Sequence, residues 1–526
     1  MTKDCSRALV NLASNEKYQL YLYRLGGLES LYKLTTVENL ICKRYAATGV
    51  QLLFTNLSIG RQQVQSGSFS NLHDMFQSSL LYHQRSAIAS LSCLTLHEEN
   101  KAPILQSDVS ENVLYFCLHS DLQIQRDAAF SLANLATTKE FDQKMSDDTL
   151  LSTITKMKKS DTRVCRDIAR LLSLISENVT IRDKLLTKDT LGIVSKFSRS
   201  EDIATQRYAS LTLCNLSLSD EKNIILEYGL LRILSFLGRY PDLEVERCAI
   251  LSLAALSLGN NHEQRLKIVK SEILQTINDI LKYPDQKLQQ CACLALNCIL
   301  LTENDEVKKI ALESGVKAIM PLLDSTDEEC LHLGLYAIGS FLELPDANNV
   351  LIDYDYLTKI IQSIYRGTIE SKRAGGYILS VLSQNPEYHD ILDRSNCLET
   401  VINLASLVDT ECQEYGAFAL AYLSGNKTFQ IKLVKMGAVR PLVTIMATSS
   451  ESRHYAGLAL LKLADNFENH ITIAEEGGIQ ALLRMGKSKI TNDEVQYKAA
   501  LTVGHLAQTK LSRVMDDKRS PKNHKK

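Results

Sequence analysis

Asparagine and arginine side chains recur along this chain at a regular distance, and together they could bind another polypeptide. The clearest copies of the recurring phrase read FSLANLA around Asn134 and LTLCNLS around Asn215. An asparagine amide can both donate to and accept from a peptide backbone, and an arginine guanidinium can pair with a carboxylate through two parallel hydrogen bonds. The chemistry that this pattern indicates is recognition of an extended, acidic segment.

The asparagine position recurs as a slot about every 41 residues, with separations of 37 to 45. The slots are Asn11, Asn56, Cys93, Asn134, Ser173, Asn215, Ala255, Cys298, Ser340, Val381, Tyr422, Lys462 and His505. Periods of about 20–50 residues are typical of stacked repeats, and 41 residues accommodate two or three helices. The sequence therefore predicts an all-α solenoid of about 12–13 repeats.

Residues four and eight positions before a slot share one stripe of a helix with it. Arginine stands eight before several slots, and an aromatic residue stands four before others. The stripe gives a candidate partner-binding set, listed here: Asn56, Arg85, Arg126, Phe130, Asn134, Arg207, Asn215, Arg247, Tyr336, Arg373, Tyr377, Phe418 and Tyr422. The alternative interpretation is structural: the asparagines connect neighbouring loops, the arginine stems pack between repeats, and the aromatic rings fill the core.

The stripe has two zones. Asparagine occupies four of the first six slots and none of the last seven. Capture of acidic extended segments is therefore expected in the N-terminal half. From Ser340 onward the aromatic residues predict a surface suited to a helix or a folded partner.

Residues 221–259 show how one repeat is built. A short helix ends at Gly229, because glycine readily adopts the left-handed conformation that closes a helix. A second amphipathic helix follows and is broken at Tyr240-Pro241, and a third begins near Glu244. The same first junction carries a glycine or an asparagine in other repeats, at Gly27, Gly315, Asn396, Gly437 and Gly478. The repeat is therefore predicted to contain three helices.

The chain resembles the armadillo-repeat family in two phrases. One opens the second helix, as in Gly315-Val-Lys-Ala-Ile-Met and Gly437-Ala-Val-Arg-Pro-Leu; the other, in the third helix, begins Gln125-Arg-Asp-Ala and Gln206-Arg-Tyr-Ala. The resemblance covers residues 1–509. It implies a concave groove lined by third helices and a non-enzymatic interaction scaffold. The long vacuolar-membrane scaffolds look most similar. A structural component of a ciliary or axonemal complex and a β-catenin-like adhesion or transcription adaptor are the alternatives.

Two functions that could accompany this resemblance are disfavoured by the residues present. Nuclear-import adaptors of the family, the importin-α proteins, stack lysines on tryptophan, and this chain has no tryptophan and a row of arginines instead. The histidines and cysteines show no HExxH or CxxC spacing, and no phosphate-binding loop occurs. We therefore expect no enzymatic activity, no cofactor and no metal site.

Composition limits the remaining choices. A net charge of −2 argues against a nucleic-acid partner, and no apolar stretch is long enough to cross a bilayer. Thirteen cysteines without regular pairing indicate a reducing, cytoplasmic compartment. The chain lacks a glycine at position 2 for myristoylation. Any contact with a vacuolar or other organelle membrane is therefore expected to be indirect or to use residues upstream. The expected organisation is a partial first repeat at residues 1–20 consisting of a third helix only, a continuous superhelix at 21–509 and a disordered basic tail at 510–526.

Overall fold

The computed structural model of this protein describes residues 2–67, 69–145, 148–157, 161–258, 262–344, 347–448, 452–486 and 497–509, and the predicted basic tail at 510–526 lies outside them. All regular secondary structure in these ranges is helical. The chain forms two compact units, unit 1 (Met1–Leu256) and unit 2 (Ser257–Lys526). Each is an α-solenoid, which confirms the predicted fold class. A single superhelix running through both units stays a prediction.

Unit 1 begins with a third helix and continues with repeats of a first, a second and a third helix. Its helices are α1 (Thr2–Ala13), α2 (Glu16–Arg24), α3 (Gly27–Thr35), α4 (Leu40–Phe54), α5 (Leu57–Gln65), α6 (Ser70–Gln77), α7 (Leu81–Leu94), α8 (Glu98–Gln106), α9 (Val109–Cys117), α10 (Leu122–Leu135), α11 (Lys139–Met145), α12 (Asp148–Lys156), α13 (Thr162–Ile175), α14 (Val179–Leu185), α15 (Lys188–Phe197), α16 (Ile203–Ser217), α17 (Asn223–Glu227), α18 (Leu231–Leu237) and α19 (Leu243–Ser257).

Unit 2 follows the same plan. Its α-helices are α20 (His262–Val269), α21 (Ile273–Ile280), α22 (Gln286–Leu300), α23 (Asp305–Ile319), α24 (Glu328–Phe341), α25 (Ala347–Leu351), α26 (Tyr354–Arg366), α27 (Ile369–Leu382), α28 (His389–Arg394), α29 (Cys397–Ser406), α30 (Thr410–Leu423), α31 (Lys427–Lys435), α32 (Val439–Met446), α33 (Ser452–Leu463), α34 (His470–Glu475) and α35 (Gly478–Gly486). Short 3-10 turns occupy Met320–Asp324, Pro386–Tyr388 and Phe467–Asn469, and residues 497–509 are helical.

Third helices lie side by side within each unit. In unit 1 the row runs through α1, α4, α7, α10, α13 and α16, and in unit 2 through α22, α24, α27, α30 and α33. In α10, Ile124, Leu132 and Leu135 are fully buried between neighbours, whereas Arg126 and Phe130 keep part of their surface in solvent. In α4, α7, α10, α13, α16, α22, α24, α27 and α30, the fifth, ninth and thirteenth residues form the third-helix face, and the name is used below in that sense.

Of the six junctions between first and second helices that the sequence named, five were located to within one residue. Gly26, Gly229, Gly437, Gly477 and Asn396 all have positive φ angles, from 64° to 90°. Glycine tolerates this left-handed conformation without a steric penalty, and asparagine tolerates it better than most residues.

The predicted break at Gly315 was wrong, because α23 continues through this residue to Ile319. A Cβ atom at Gly315 would lie 3.2 Å from the ring of Phe341. Glycine at this position therefore makes room for an aromatic ring instead of ending a helix.

Candidate protein-binding face

Most of the arginines on the third-helix face are bound by an aspartate of the next repeat. The arginine Nη2 atom lies 2.5–2.7 Å from one carboxylate oxygen, and Nε lies 3.0–3.2 Å from an oxygen of the same group. We call this two-bond contact the repeat clamp. The clamps are Arg85–Asp121, Arg126–Asp161, Arg166–Asp202 and Arg207–Asp242 in unit 1 and Arg373–Asp409 in unit 2.

The position of each clamp follows from local sequence. Every clamp aspartate is the residue immediately before a third helix, where its carboxylate accepts a hydrogen bond from a backbone N–H of the first turn, as Asp202 does from Thr205 at 2.9 Å. A carboxylate there also faces the positive end of the helix dipole. The hydrogen bond from Arg166, together with those from Thr205, lowers the pKa of Asp202 to about 2.

The structure corrects the predicted register in two repeats, through a clamp in α13 and through the helix bounds in α4. Arg166, which the sequence reading missed, is the fifth residue of α13, so the corresponding slot is Leu174 and not Ser173. In α4 the slot falls at Leu52, and Asn56 stands outside the third helix. Asn56 instead caps α5, with its Oδ1 atom accepting from the backbone of Ser58 at 3.1 Å.

The asparagines on the face connect repeats. Asn134 is 5% exposed; its Nδ2 atom donates to Thr95 Oγ1 at 3.3 Å, and its Oδ1 atom accepts from Arg170 Nη1 at 2.9 Å. The Nδ2 atom of Asn215 donates to Ser176 Oγ at 3.0 Å and to the Ser173 carbonyl. For Asn134 this is the structural interpretation that the sequence left open, because both ends of its amide are bound within the chain.

The arginines at the fifth positions of α16 and α19 also border a cavity. Arg207 and Arg247, with Tyr208, Leu211 and Glu244, line a space of about 400 Å³ between α16 and α19. Arg207 contacts Glu244 at 3.3 Å in addition to its clamp aspartate. The N-terminal half therefore presents arginines whose charge is largely balanced by neighbouring carboxylates.

Unit 2 contains a differently built pocket of about 400 Å³ between α24, α27 and α30. Its walls include the rings of Tyr336, Tyr377 and Tyr415, one from each helix. The Tyr377 and Tyr415 rings meet edge to face with centroids 5.8 Å apart. Two predicted tyrosines, Tyr336 and Tyr377, are thus brought together. Tyr415 was missed because it stands neither four nor eight residues before a slot.

Glycines position these tyrosines. A Cβ atom at Gly339 of α24 would lie 3.3 Å from the Tyr377 ring, and one at Gly376 of α27 would lie 3.3 Å from Tyr415 Cβ. Contacts this short are unusual for a real Cβ atom, so glycine lets each tyrosine lie against the preceding helix.

Carboxylates surround the same pocket. Glu343, Glu370 and Glu411 line it together with a single arginine, Arg373. Arg373 is held by the clamp aspartate Asp409 and lies 3.7 Å from Glu411. Burial, with a smaller contribution from Glu343, raises the pKa of Tyr377, so this phenol stays neutral in ordinary buffers.

The pocket lies beside a pair of neighbouring third helices, α24 and α27, that no clamp connects. The fifth residue of α24 is His332, and the residue before α27 is Thr368. These are the positions that hold arginine and aspartate in a clamp. Between α22 and α24, the Gln290 side chain donates to Asp327 at 2.9 Å, so an uncharged amide takes the place of the clamp arginine there. Between α24 and α27 the chain has neither contact, and the tyrosines fill part of the space.

The two other predicted aromatic residues of unit 2, Phe418 and Tyr422, belong to a second cluster. The Phe418 ring lies 5.0 Å from that of Tyr422 and 4.8 Å from that of Tyr455. The Lys462 Nζ atom lies 5.7 Å from the centroid of Tyr422, and it also donates to the Ala421 carbonyl at 2.7 Å. Tyr422 keeps 40% of its surface exposed, so this cluster is only partly core.

Seven of the thirteen cysteines are buried in the packing between helices, whereas Cys5 is exposed. All thirteen are free thiols, and burial raises the pKa of Cys397 to about 12, which disfavours the reactive thiolate. Within the described ranges no group of histidine, cysteine, aspartate and glutamate has the arrangement of a metal site. Across the same residues, no helix is both long and apolar enough to traverse a bilayer.

Comparison with known proteins rests on structure. No family model and no curated protein matches the sequence. A chain from a structure concerned with the cadherin–β-catenin interaction and its phosphorylation switch superposes with a TM-score of 0.67 at 14% identity, covering 91% of this chain and 99% of that one. A crystal structure of an engineered protein gives 0.52 at 21% identity, covering 83% and 98%. The fold is an armadillo solenoid.

Proposed function

We propose that this chain is a non-enzymatic scaffold whose third-helix face binds extended segments of other proteins. The observation that carries the proposal is the row of third helices in each unit, which repeats partly exposed side chains at the same helical positions. Spacing of this kind suits a long, thin partner that contacts several repeats. The β-catenin-related neighbour is consistent with this class of function, and the buried free thiols are consistent with a cytoplasmic location.

The preference for acidic segments in the N-terminal half stays a prediction. The clamps weaken it, because each arginine already has a carboxylate partner and the pair carries no net charge. The two clamp hydrogen bonds use Nε and one hydrogen of Nη2, so an acidic ligand would have to bind as a second carboxylate at Nη1 and the remaining Nη2 hydrogen.

Site-specific photo-crosslinking tests the proposed face. In each unit one aromatic residue on the face and one on a second helix is replaced by p-benzoylphenylalanine: Phe130 and Tyr115 in unit 1, Tyr336 and Tyr365 in unit 2. All four positions carry a ring already, so the replacement is a conservative one. We expect protein adducts in cells from Phe130 and Tyr336 and few from the two controls.

Two outcomes would contradict the proposal. Adducts confined to Tyr115 and Tyr365 would place the partners on the second helices and favour a structural component, of the kind built into ciliary complexes, over groove binding. Absence of adducts at all four positions would count against an interaction scaffold of any kind.

A further inference from the structure

The tyrosine pocket of unit 2 differs in chemistry from the rest of the third-helix face. We propose that it binds a cationic side chain, lysine or arginine, presented by a partner segment. The inference rests on the proposed scaffold function and specifies the ligand chemistry of one of its sites.

The aromatic walls fit a cation. The face of a tyrosine ring attracts an ammonium or guanidinium group within about 6 Å of its centroid. Tyr336, the most exposed of the three, has 45% of its surface in solvent and stands at the ninth position of α24, on the third-helix face itself. The cavity volume of about 400 Å³ lies within the range of small-ligand sites, about 300–1,000 Å³, and so has room for a side chain.

The charged side chains around the pocket favour a positively charged ligand. Three lining carboxylates stand against one lining arginine, and that arginine is already bound to Asp409. Glu343 pairs with the buried Lys308. Glu370, by contrast, has no ion-pair partner among the described residues, and it projects from the first turn of α27 at the edge of the pocket. An acidic side chain entering here would be repelled by Glu370 and the neighbouring carboxylates, whereas a basic one would be attracted.

An unused polar atom lies in the same wall. Within the described part of the chain, the Nδ1 atom of His332 is buried and has no hydrogen-bond partner. Buried polar atoms are seldom left unpaired, so this atom offers a further contact for a ligand or its bound water. His332 occupies the position at which other repeats place the clamp arginine.

Fluorescence anisotropy with defined peptides tests the proposal on the full chain. The probes are fluorescein-labelled Gly-Ser peptides that carry three arginines, three lysines or three glutamates. We expect the arginine and lysine peptides to bind at least about 10-fold more tightly than the glutamate peptide at about 0.15 M salt.

Paired variants assign that binding to the pocket. We expect the double change Glu370→Gln/Glu411→Gln to lower the affinity for the arginine peptide by about 10-fold. The matched control Glu387→Gln/Glu399→Gln removes the same charge from exposed positions outside the pocket and should change affinity less than about 2-fold. Tyr336→Leu should weaken binding by about 5-fold and Tyr336→Phe, which keeps the ring, should not.

Each contrary result has its own meaning. Equal losses from the two double variants would show attraction by overall charge and overturn the pocket. Preference for the glutamate peptide would overturn the cation site while leaving the scaffold function intact. If no peptide binds although crosslinks form at Tyr336, the pocket does not recognise a basic side chain and the scaffold function stands.

Discussion

The same helical positions carry different chemistry in the two units. In unit 1 the fifth residues of α7, α10, α13 and α16 are arginines, each bound to an aspartate before the next third helix. In unit 2 this contact is missing between α24 and α27, and a pocket of tyrosines and glutamates opens there. Closed clamps join neighbouring repeats, and the step between α24 and α27, which has none, is lined by tyrosines and glutamates instead.

The residues that follow the fifth position extend this difference. The sixth residue is Asp127 in α10 and Asp167 in α13, but Tyr415 in α30. The seventh is alanine in α10 and α16, whereas it is glycine in all three pocket helices, at Gly334, Gly375 and Gly416. At the seventh position, the three pocket helices therefore carry a smaller residue than α10 and α16 do.

Among the changes that test this comparison, Gly416→Ala is expected to alter the free energy of unfolding most. It gives α30 the alanine that α10 and α16 carry at the seventh position. The new Cβ atom would lie 2.6 Å from the backbone nitrogen of Ala405 in α29, so the backbone of that helix would have to move. Overpacking of this kind costs about 2 kcal/mol, measured as the free energy of unfolding in urea.

Gly334→Ala is the matched control for that change. Its nearest contact would be an ordinary one, 3.5 Å from the Ile319 side chain. Because alanine is the better helix former, we expect no loss and a gain of up to about 1 kcal/mol. Equal effects at Gly334 and Gly416 would contradict the closer helix packing inferred for unit 2.

A smaller, pH-dependent effect is expected in unit 1 from Asp167→Asn. Burial raises the pKa of Asp167 from its ordinary value of 3.8 to about 6. The protonated acid is thus favoured in the folded chain, and its contribution to stability is present below about pH 4 and lost as the pH rises through 6. Asparagine stays neutral, so it should stabilise unit 1 by about 1 kcal/mol at pH 7.5, after allowance for partial exposure.

Urea unfolding at two pH values checks this prediction. The gain from Asp167→Asn should be close to zero at pH 4, where the wild-type carboxyl is itself neutral. A gain of the same size at both pH values would mean that packing, not charge, limits this position.

The repeat architecture could be predicted from the sequence because it depends on local signals. Glycine or asparagine at the first junction and an apolar third helix recur in phase, and the breaks at Gly229 and Asn396 were located correctly. The exact register was harder, because asparagine has two roles in this chain. It lies inside third helices, as Asn134 does, and it caps first helices, as Asn56 and Asn178 do.

A better marker of register was present in the sequence. Aspartate stands five residues before arginine in the pairs Asp121/Arg126, Asp161/Arg166, Asp202/Arg207 and Asp242/Arg247. Each aspartate caps the helix that carries its arginine, and Arg126, Arg166 and Arg207 each bind the aspartate of the next repeat. This recurrence would have identified Arg166 and the clamp partners of the arginines.

The unit 2 pocket could not be predicted in the same way. Its tyrosines and glutamates come from three successive repeats. Among them, only Tyr336 and Tyr377 stand at the same distance, four residues, before a slot. Tyr415 and Glu370 become neighbours of those rings through the packing of third helices, with Gly339 and Gly376 setting the distance. That convergence is a tertiary property and has no signature within a single repeat.

The most direct test of the account installs a clamp across the pocket. His332→Arg/Thr368→Asp places an arginine and an aspartate at the two positions that hold them in a clamp. The change adds one charge of each sign. We predict that the arginine peptide binds this variant at least about 10-fold more weakly while the free energy of unfolding is unchanged or rises by up to about 1 kcal/mol. Undiminished peptide binding by a stably folded double variant would contradict the claim that the interrupted clamp creates the binding site.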